Sequence, residues 1–229
     1  MLDRFKNINL AKEKIEKARE KIIGPRRIEF VNGKSLVVSV TGDEPEIKLM
    51  EGDREVLDLK TLAPEGTKLE FSEKNKWGAI EGKICIGKFT GIDCLLAYLH
   101  EAGHLHNGDM KMVRAAEAGY LLEKIKDKQW RYPTERLRAL KEEKTVVMAS
   151  ERNAWAYALR QARKLEKGEG IDIFERFGGV KGVFSFVNKY LESYEERYMN
   201  ELYHCDIFTK EDMEELFARL DEAEEKEAA

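Results

Sequence analysis

The chain has 229 residues, of which 42% are hydrophobic, enough for a folded core and too many for wholesale disorder. Charged residues make up 37%, but acids and bases nearly cancel at a net charge of −4, which argues against a dedicated nucleic-acid-binding protein. There is no C-x-x-C pair, no N-terminal apolar signal region and no run of roughly 18 apolar residues, so we expect a cytoplasmic protein that does not cross a membrane.

The first element predicted along the chain is an amphipathic helix over residues 1–24, which ends where Gly24 and Pro25 break the pattern. Over residues 25–88 the hydrophobic period changes to two, which predicts an antiparallel sheet of five to seven short strands. Asn32-Gly33 can supply the positive φ angles of a tight hairpin turn between IEFV and KSLVVSV. The stretches EIKLM-EGD-REVLDL and WGAIE-GKICIG repeat this hairpin pattern.

The remaining residues, 89–229, are predicted to be helical, with helices near residues 91–107, 111–129, 134–167, 181–203 and 210–226. No internal repeat or low-complexity linker separates this region from the sheet. The pattern therefore predicts an α+β fold in which an N-terminal antiparallel sheet is followed by a mostly helical bundle. We expect the whole chain to form one integrated unit.

The first helix of this region contains LLAYLHEAGHLHNGD, which holds three of the four histidines within seven residues. His100 and His104 are four residues apart, so they point to the same side of a helix and can bind a single ion. Glu101 lies one step around the helix, where it can reach a water on the metal without ligating the metal itself. Apolar residues cover most of this helix, and burying these polar groups without partners would cost several kcal/mol. The pattern favours a zinc site over a purely structural cluster.

Catalytic zinc normally takes three protein ligands and a water, so a third ligand is needed. Glu151 is the best candidate, because a stripe of small residues follows it on the same helix face: Ala154, Ala158 and Ala162. Such a stripe lets this helix lie close against the helix of His100 and His104, where the small pair Ala102-Gly103 lets another element approach. Glu151 could instead simply begin a helix, where the dipole favours an acid. The alternatives for the third ligand are Asp109, Glu117 and His204.

His100-Glu101-x-x-His104 with a glutamate on a later helix resembles the gluzincin group of zincin metallopeptidases. More narrowly, the segment E-x-x-A-x-x-Y-A that begins at Glu151 is similar to the E-x-x-A-x-x-F-A segment of ImmA/IrrE-type cytoplasmic regulatory peptidases. The resemblance covers residues 79–165. It implies that the strand over residues 83–87 is an edge strand that binds an extended peptide above the metal.

These residues together predict a zinc-dependent metallopeptidase that hydrolyses peptide bonds. Zn²⁺ held by His100, His104 and Glu151 would activate water, with Glu101 as the general base. The expected partner is a peptide or protein substrate, without nucleic acid or membrane, and the sequence does not indicate an oligomeric state. Candidates for the oxyanion donor are Tyr198, Tyr203 and His204.

The alternative function is a non-catalytic zinc-binding protein with a structural or regulatory role. Glu101 distinguishes the two hypotheses, because a purely structural site has no need for a base beside its ligands. Such a site would often close with a fourth protein ligand instead.

Overall fold

The computed structural model describes residues 27–41, 44–72, 76–80, 82–130 and 133–203. The helices predicted over residues 1–24 and 210–226 lie outside the described residues. Within the described part of the chain an antiparallel sheet is followed by a mostly helical region, which confirms the predicted α+β class. None of the described helices is both long enough and apolar enough to cross a bilayer.

The first sheet is built from two successive hairpins. Its four antiparallel strands, in spatial order, are β1 (Arg27–Glu29), β2 (Lys34–Thr41), β3 (Glu44–Glu51) and β4 (Arg54–Asp58). The predicted Asn-Gly turn joins β1 to β2, with Gly33 at a φ of 80° that few other residues adopt. Leu36 pairs with Leu49, and Val38 pairs with Ile47. All four side chains are buried, so alternate residues of β2 and β3 form one apolar face.

The remaining described strands form a separate sheet. They are β5 (Lys68–Phe71), β6 (Gly78–Ile80) and β7 (Lys83–Ile86), in the spatial order β5-β7-β6. The predicted hairpin between β6 and β7 is present, but β5 runs parallel to β7. The expectation of a single antiparallel sheet was therefore wrong. The expected edge strand over residues 83–87 was also wrong, because β7 is central and β6 lies at the edge.

Five helices follow within the described residues: α1 (Asp93–Asn107), α2 (Met110–Trp130), α3 (Pro133–Glu169), α4 (Ile173–Arg176) and α5 (Val180–Tyr203). The four longer ones agree with the prediction to within two residues at each end, and the short α4 was not predicted. Helix α1 packs against β6 and β7. The hydroxyl of Tyr98 donates to the carbonyl of Leu59 at 2.8 Å, which ties α1 to the turn after β4.

The contacts within the chain divide it into two compact units. The described residues up to Met110 form the first unit together with Ser150–Phe186. Lys111–Ala149 and the described residues from Val187 onward form the second. This grouping does not follow the predicted boundary between residues 88 and 89, because the 37-residue helix α3 contributes to both units. The second unit has its own apolar core, which includes Leu137, Leu140 and Tyr198.

Candidate metal centre

Helix α1 carries a buried cluster of metal-ligand residues in its second half. His100, Glu101 and His104 are only 2%, 4% and 6% exposed. One ligand-type atom from each residue lies within 4.8 Å of the other two. Apolar neighbours on the same helix surround the cluster, as the sequence pattern predicts. This His-Glu-His group could therefore bind a metal ion.

Gly103 allows α3 to approach this cluster. A β-carbon built at Gly103 would lie 2.7 Å from the carbonyl oxygen of Ala154 and 2.9 Å from its Cα, closer than real β-carbons come. Ala154 and Ala158 are completely buried. The close contact agrees with the predicted stripe of small residues, and it brings the segment around Glu151 to the imidazoles of α1.

Glu151 lies beside both imidazoles. Its Oε2 is 3.0 Å from His100 Nε2, and its Oε1 is 3.4 Å from His104 Nε2. The two Nε2 atoms are 3.1 Å apart. In a tetrahedral zinc site with bonds of about 2.0–2.1 Å, neighbouring ligand atoms are about 3.3–3.4 Å apart. The spacing and the chemistry of these three side chains are therefore compatible with a single bound metal ion.

Two carboxylates, those of Glu101 and Glu151, are candidates for the third ligand. Glu101 follows His100 directly in the helix, so its side chain leaves the axis about 100° further around. Its carboxylate accepts a backbone hydrogen bond from Ala79 in the edge strand β6. Glu151 is closer to the ring nitrogens, with its two oxygens against the two Nε2 atoms. The distances favour Glu151 as the ligand and leave Glu101 at the side of the site.

The burial of the cluster separates the pKa values of its two carboxylates. Burial raises the pKa of Glu101 to about 7, although the neighbouring His104 opposes the shift. Burial would also raise the pKa of Glu151, but the two imidazoles outweigh it and lower the value to about 2. Burial lowers the pKa of His100. At His104 burial acts in the same direction, but the Glu151 carboxylate outweighs it and raises the pKa.

Asp109 and Ser150 lie on the other edge of the His104 ring. His104 Nδ1 is 3.1 Å from Ser150 Oγ and 3.9 Å from Asp109 Oδ1. The two nitrogens of an imidazole point in different directions. Asp109, which lies beside Nδ1, therefore does not face the space between His104 Nε2 and the Glu151 carboxylate. Asp109 is thus badly placed to be the third ligand. Sequence reasoning missed Ser150, and its position directly before Glu151 is the signal that could have identified it.

The indole of Trp155 packs against His100. The ring centroids are 4.3 Å apart, with an angle of 34° between the planes. Phe186 meets the indole edge-on, at a centroid distance of 5.8 Å. Trp155 follows Glu151 by four residues in α3, so one helix face supplies both the carboxylate and the ring that restricts His100.

The remaining predicted site residues are Glu117, Tyr198, Tyr203 and His204. Glu117 and Tyr198 belong to the second unit, where the charge of Glu117 acts on Tyr198. The Tyr198 hydroxyl is 3.3 Å from Glu143 Oε1, and the ring is only 1% exposed. Tyr198 is therefore a core residue of that unit. Tyr203 is the last residue of α5, and His204 lies outside the described residues.

Comparison with protein-family models, with curated proteins and with solved structures found no match. The resemblance to gluzincins therefore rests on the residues of the motif. The geometry and chemistry of the cluster support a possible metal-binding site in this chain.

Proposed function

We propose that this protein is a zinc-dependent metallopeptidase whose ion is held by His100, His104 and Glu151. The observation that carries the proposal is the meeting of three ligand-type side chains from two helices. The two Nε2 atoms are 3.1 Å apart, and the two carboxylate oxygens of Glu151 lie 3.0 Å from His100 Nε2 and 3.4 Å from His104 Nε2. Two imidazoles and one carboxylate are the donor set of a class of catalytic zinc sites that keep one position open. A bound zinc ion supplies Lewis acidity to a water molecule and to the carbonyl oxygen of the substrate.

Glu101 has the position of a general base rather than a ligand. Its carboxylate is within 4.8 Å of both imidazoles, while Glu151 occupies the closer place between them. From there Glu101 takes a proton from the attacking water and returns it to the leaving amine. The backbone of Ala79 in β6 is near enough to this carboxylate to oppose the rise in its pKa.

The edge strand β6 supports a peptide as the substrate. Helix α1 packs against β6, and β7 is the one strand among the described residues that pairs with β6, along one side. An extended peptide can add to such an edge through main-chain hydrogen bonds. Because the backbone of Ala79 in this strand lies near the Glu101 carboxylate, a peptide along β6 would lie next to the proposed base. This arrangement favours a peptide over a small ester or amide.

The test is cleavage of a quenched-fluorescent peptide library by the zinc-loaded protein and by its Glu101→Gln variant. We expect the wild type to cleave the peptides, and the variant to keep its zinc while losing activity by roughly 10²-fold or more. Glu65→Gln, which alters an exposed carboxylate in the same unit, is the matched control and should retain full activity. If the zinc-loaded wild type cleaves none of the peptides, the peptidase proposal fails.

A non-catalytic zinc site is the second candidate, and the burial of the ligands favours it. His100, His104 and Glu151 are 2%, 6% and 7% exposed. In a structural site Glu101 would close the coordination as the fourth protein ligand. Glu101→Gln would then weaken zinc binding, whereas in the peptidase it leaves zinc binding intact. The zinc affinity of this one variant therefore separates the two functions.

A further inference from the structure

We propose that Asp109 is a positioning carboxylate for His104, which keeps the hydrogen on Nδ1 so that Nε2 is free to bind the ion. The inference rests on the proposed zinc site. It gives Asp109 a role different from that of a ligand, and it concerns the side of the imidazole that faces away from His100 and Glu151.

The end of α1 explains how Asp109 comes to lie behind His104. The helix stops at Asn107, and Gly108 adopts a left-handed conformation with φ 67° and ψ 13°. The N–H of Gly108 donates to the carbonyl of His104 at 3.3 Å. A left-handed residue at this point reverses the chain direction. The next side chain, Asp109, consequently turns back towards the last turn of the helix, where its Oδ1 is 3.9 Å from His104 Nδ1.

Asp109 is buried beside the His104 ring. The residue is 8% exposed, and neither carboxylate oxygen has a hydrogen-bond partner among the described residues. Burying a carboxylate that has no hydrogen-bond partner costs several kcal/mol of folding free energy. A divalent cation on the far side of the His104 ring would offset this charge. The position of Asp109 therefore suits a metal-loaded site, in which the carboxylate and the ion lie on opposite sides of the His104 ring.

The neighbouring hydroxyl cannot fix the ring alone. Ser150 Oγ, 3.1 Å from His104 Nδ1, can either donate or accept a hydrogen bond, so it is compatible with both neutral tautomers. An ionised carboxylate only accepts. Its negative charge next to Nδ1 therefore favours the tautomer with hydrogen on Nδ1 and a lone pair on Nε2.

The test compares zinc affinity with the stability of the metal-free protein. Zinc dissociation constants of the wild type, Asp109→Asn and Asp109→Glu are measured by competition with a chelator, and each metal-free protein is unfolded by heat. We expect Asp109→Asn to bind zinc about 10–100-fold more weakly. The same variant without metal should be at least as stable as the wild type, because a buried carboxylate without a hydrogen-bond partner has been removed. Asp109→Glu keeps the charge and should recover part of the affinity.

A purely structural role for Asp109 predicts the opposite pair of results. Metal-free Asp109→Asn would then unfold at a lower temperature, while its affinity for zinc stayed the same, and this outcome would overturn the proposal. Equal zinc affinity of the wild type and Asp109→Asn would reject the positioning role and leave the zinc site standing. A wild-type protein that binds no zinc would reject both.

Discussion

Gly103 of α1 and Ala154 of α3 bring the backbones of these two helices into direct contact. A β-carbon at Gly103 would meet the Ala154 carbonyl oxygen at 2.7 Å. His104 directly follows Gly103, and Glu151 lies three residues before Ala154. Any separation of the helices at this point therefore moves the Glu151 carboxylate away from the imidazoles. The contact between two small residues controls the spacing of the proposed ligands.

The first prediction concerns Gly103→Ala, which should lower the melting temperature and weaken zinc binding. The added methyl group has no space, so α3 must shift away from α1. In an open helix position the same change stabilises a protein by up to about 1 kcal/mol. Gly119→Ala is the matched control, because Gly119 lies in α2 and a β-carbon added there would have nothing within 4 Å.

Thermal unfolding and zinc competition, applied to both variants, check this prediction. Gly119→Ala should be neutral or stabilising and should leave zinc affinity unchanged. If Gly103→Ala were as stable as the wild type and bound zinc as tightly, the contact would not control the ligand spacing.

The second prediction is that the fluorescence of Trp155 reports the binding of zinc. Because the indole lies 4.3 Å from the ring of His100, a change in charge at that imidazole alters the emission of the indole. Titration with zinc should change the intrinsic fluorescence until one equivalent per chain is bound. Trp155→Phe should lose most of this change, although Trp77 and Trp130 remain. An undiminished change in the variant would show that the ion binds elsewhere.

The third prediction concerns Asp172, whose hydrogen bonds connect the turn after β1 to α4. Its Oδ1 accepts a hydrogen bond from the N–H of Val31 at 3.2 Å, and its Oδ2 accepts one from Arg176 Nε at 2.9 Å. Burial raises the pKa of Asp172, but these donors outweigh it and lower the pKa overall. The folded value is then below the unfolded value of about 3.9. The ionised Asp172 carboxylate therefore contributes its full stabilisation at pH values above the unfolded pKa. This stabilisation is lost as the pH falls through the folded pKa.

Asp172→Asn should therefore lower the free energy of unfolding at pH 7 by about 1–2 kcal/mol. The difference from the wild type should shrink as the pH is lowered below about 4. Glu175→Gln, which changes an exposed carboxylate in α4, is the control and should have little effect. Denaturant unfolding of the wild type and both variants, at pH 7 and below pH ~4, checks the prediction. A difference that is the same in acid and at neutral pH would contradict the charge-dependent role.

The turns and helices were predictable from sequence because their signals are local. The hairpin glycines Gly33 and Gly52 occur where the pattern predicts them, each with a positive φ. The parallel pairing of β5 with β7 was not predictable. Alternation of apolar residues fixes which face of a strand is buried, but it does not identify the neighbouring strand.

The candidate site was also predictable in part. The spacing of His100 and His104 places them on one side of a helix, and the small residues of α3 predict a close neighbour. The sequence favoured Glu151 as the third ligand but left Asp109 open as an alternative. That distinction depends on the left-handed turn at Gly108, which directs Asp109 behind the His104 ring instead of towards Nε2.

The zinc content of the purified protein, measured beside Glu151→Ala and the exposed control Glu65→Ala, tests the central claim most directly. We predict one zinc per chain in the wild type and the control, and much less in Glu151→Ala. Full zinc in Glu151→Ala would remove Glu151 from the site. A wild type that takes up no zinc, even when zinc is supplied, would contradict the metal site and leave His100 and His104 as a structural polar cluster.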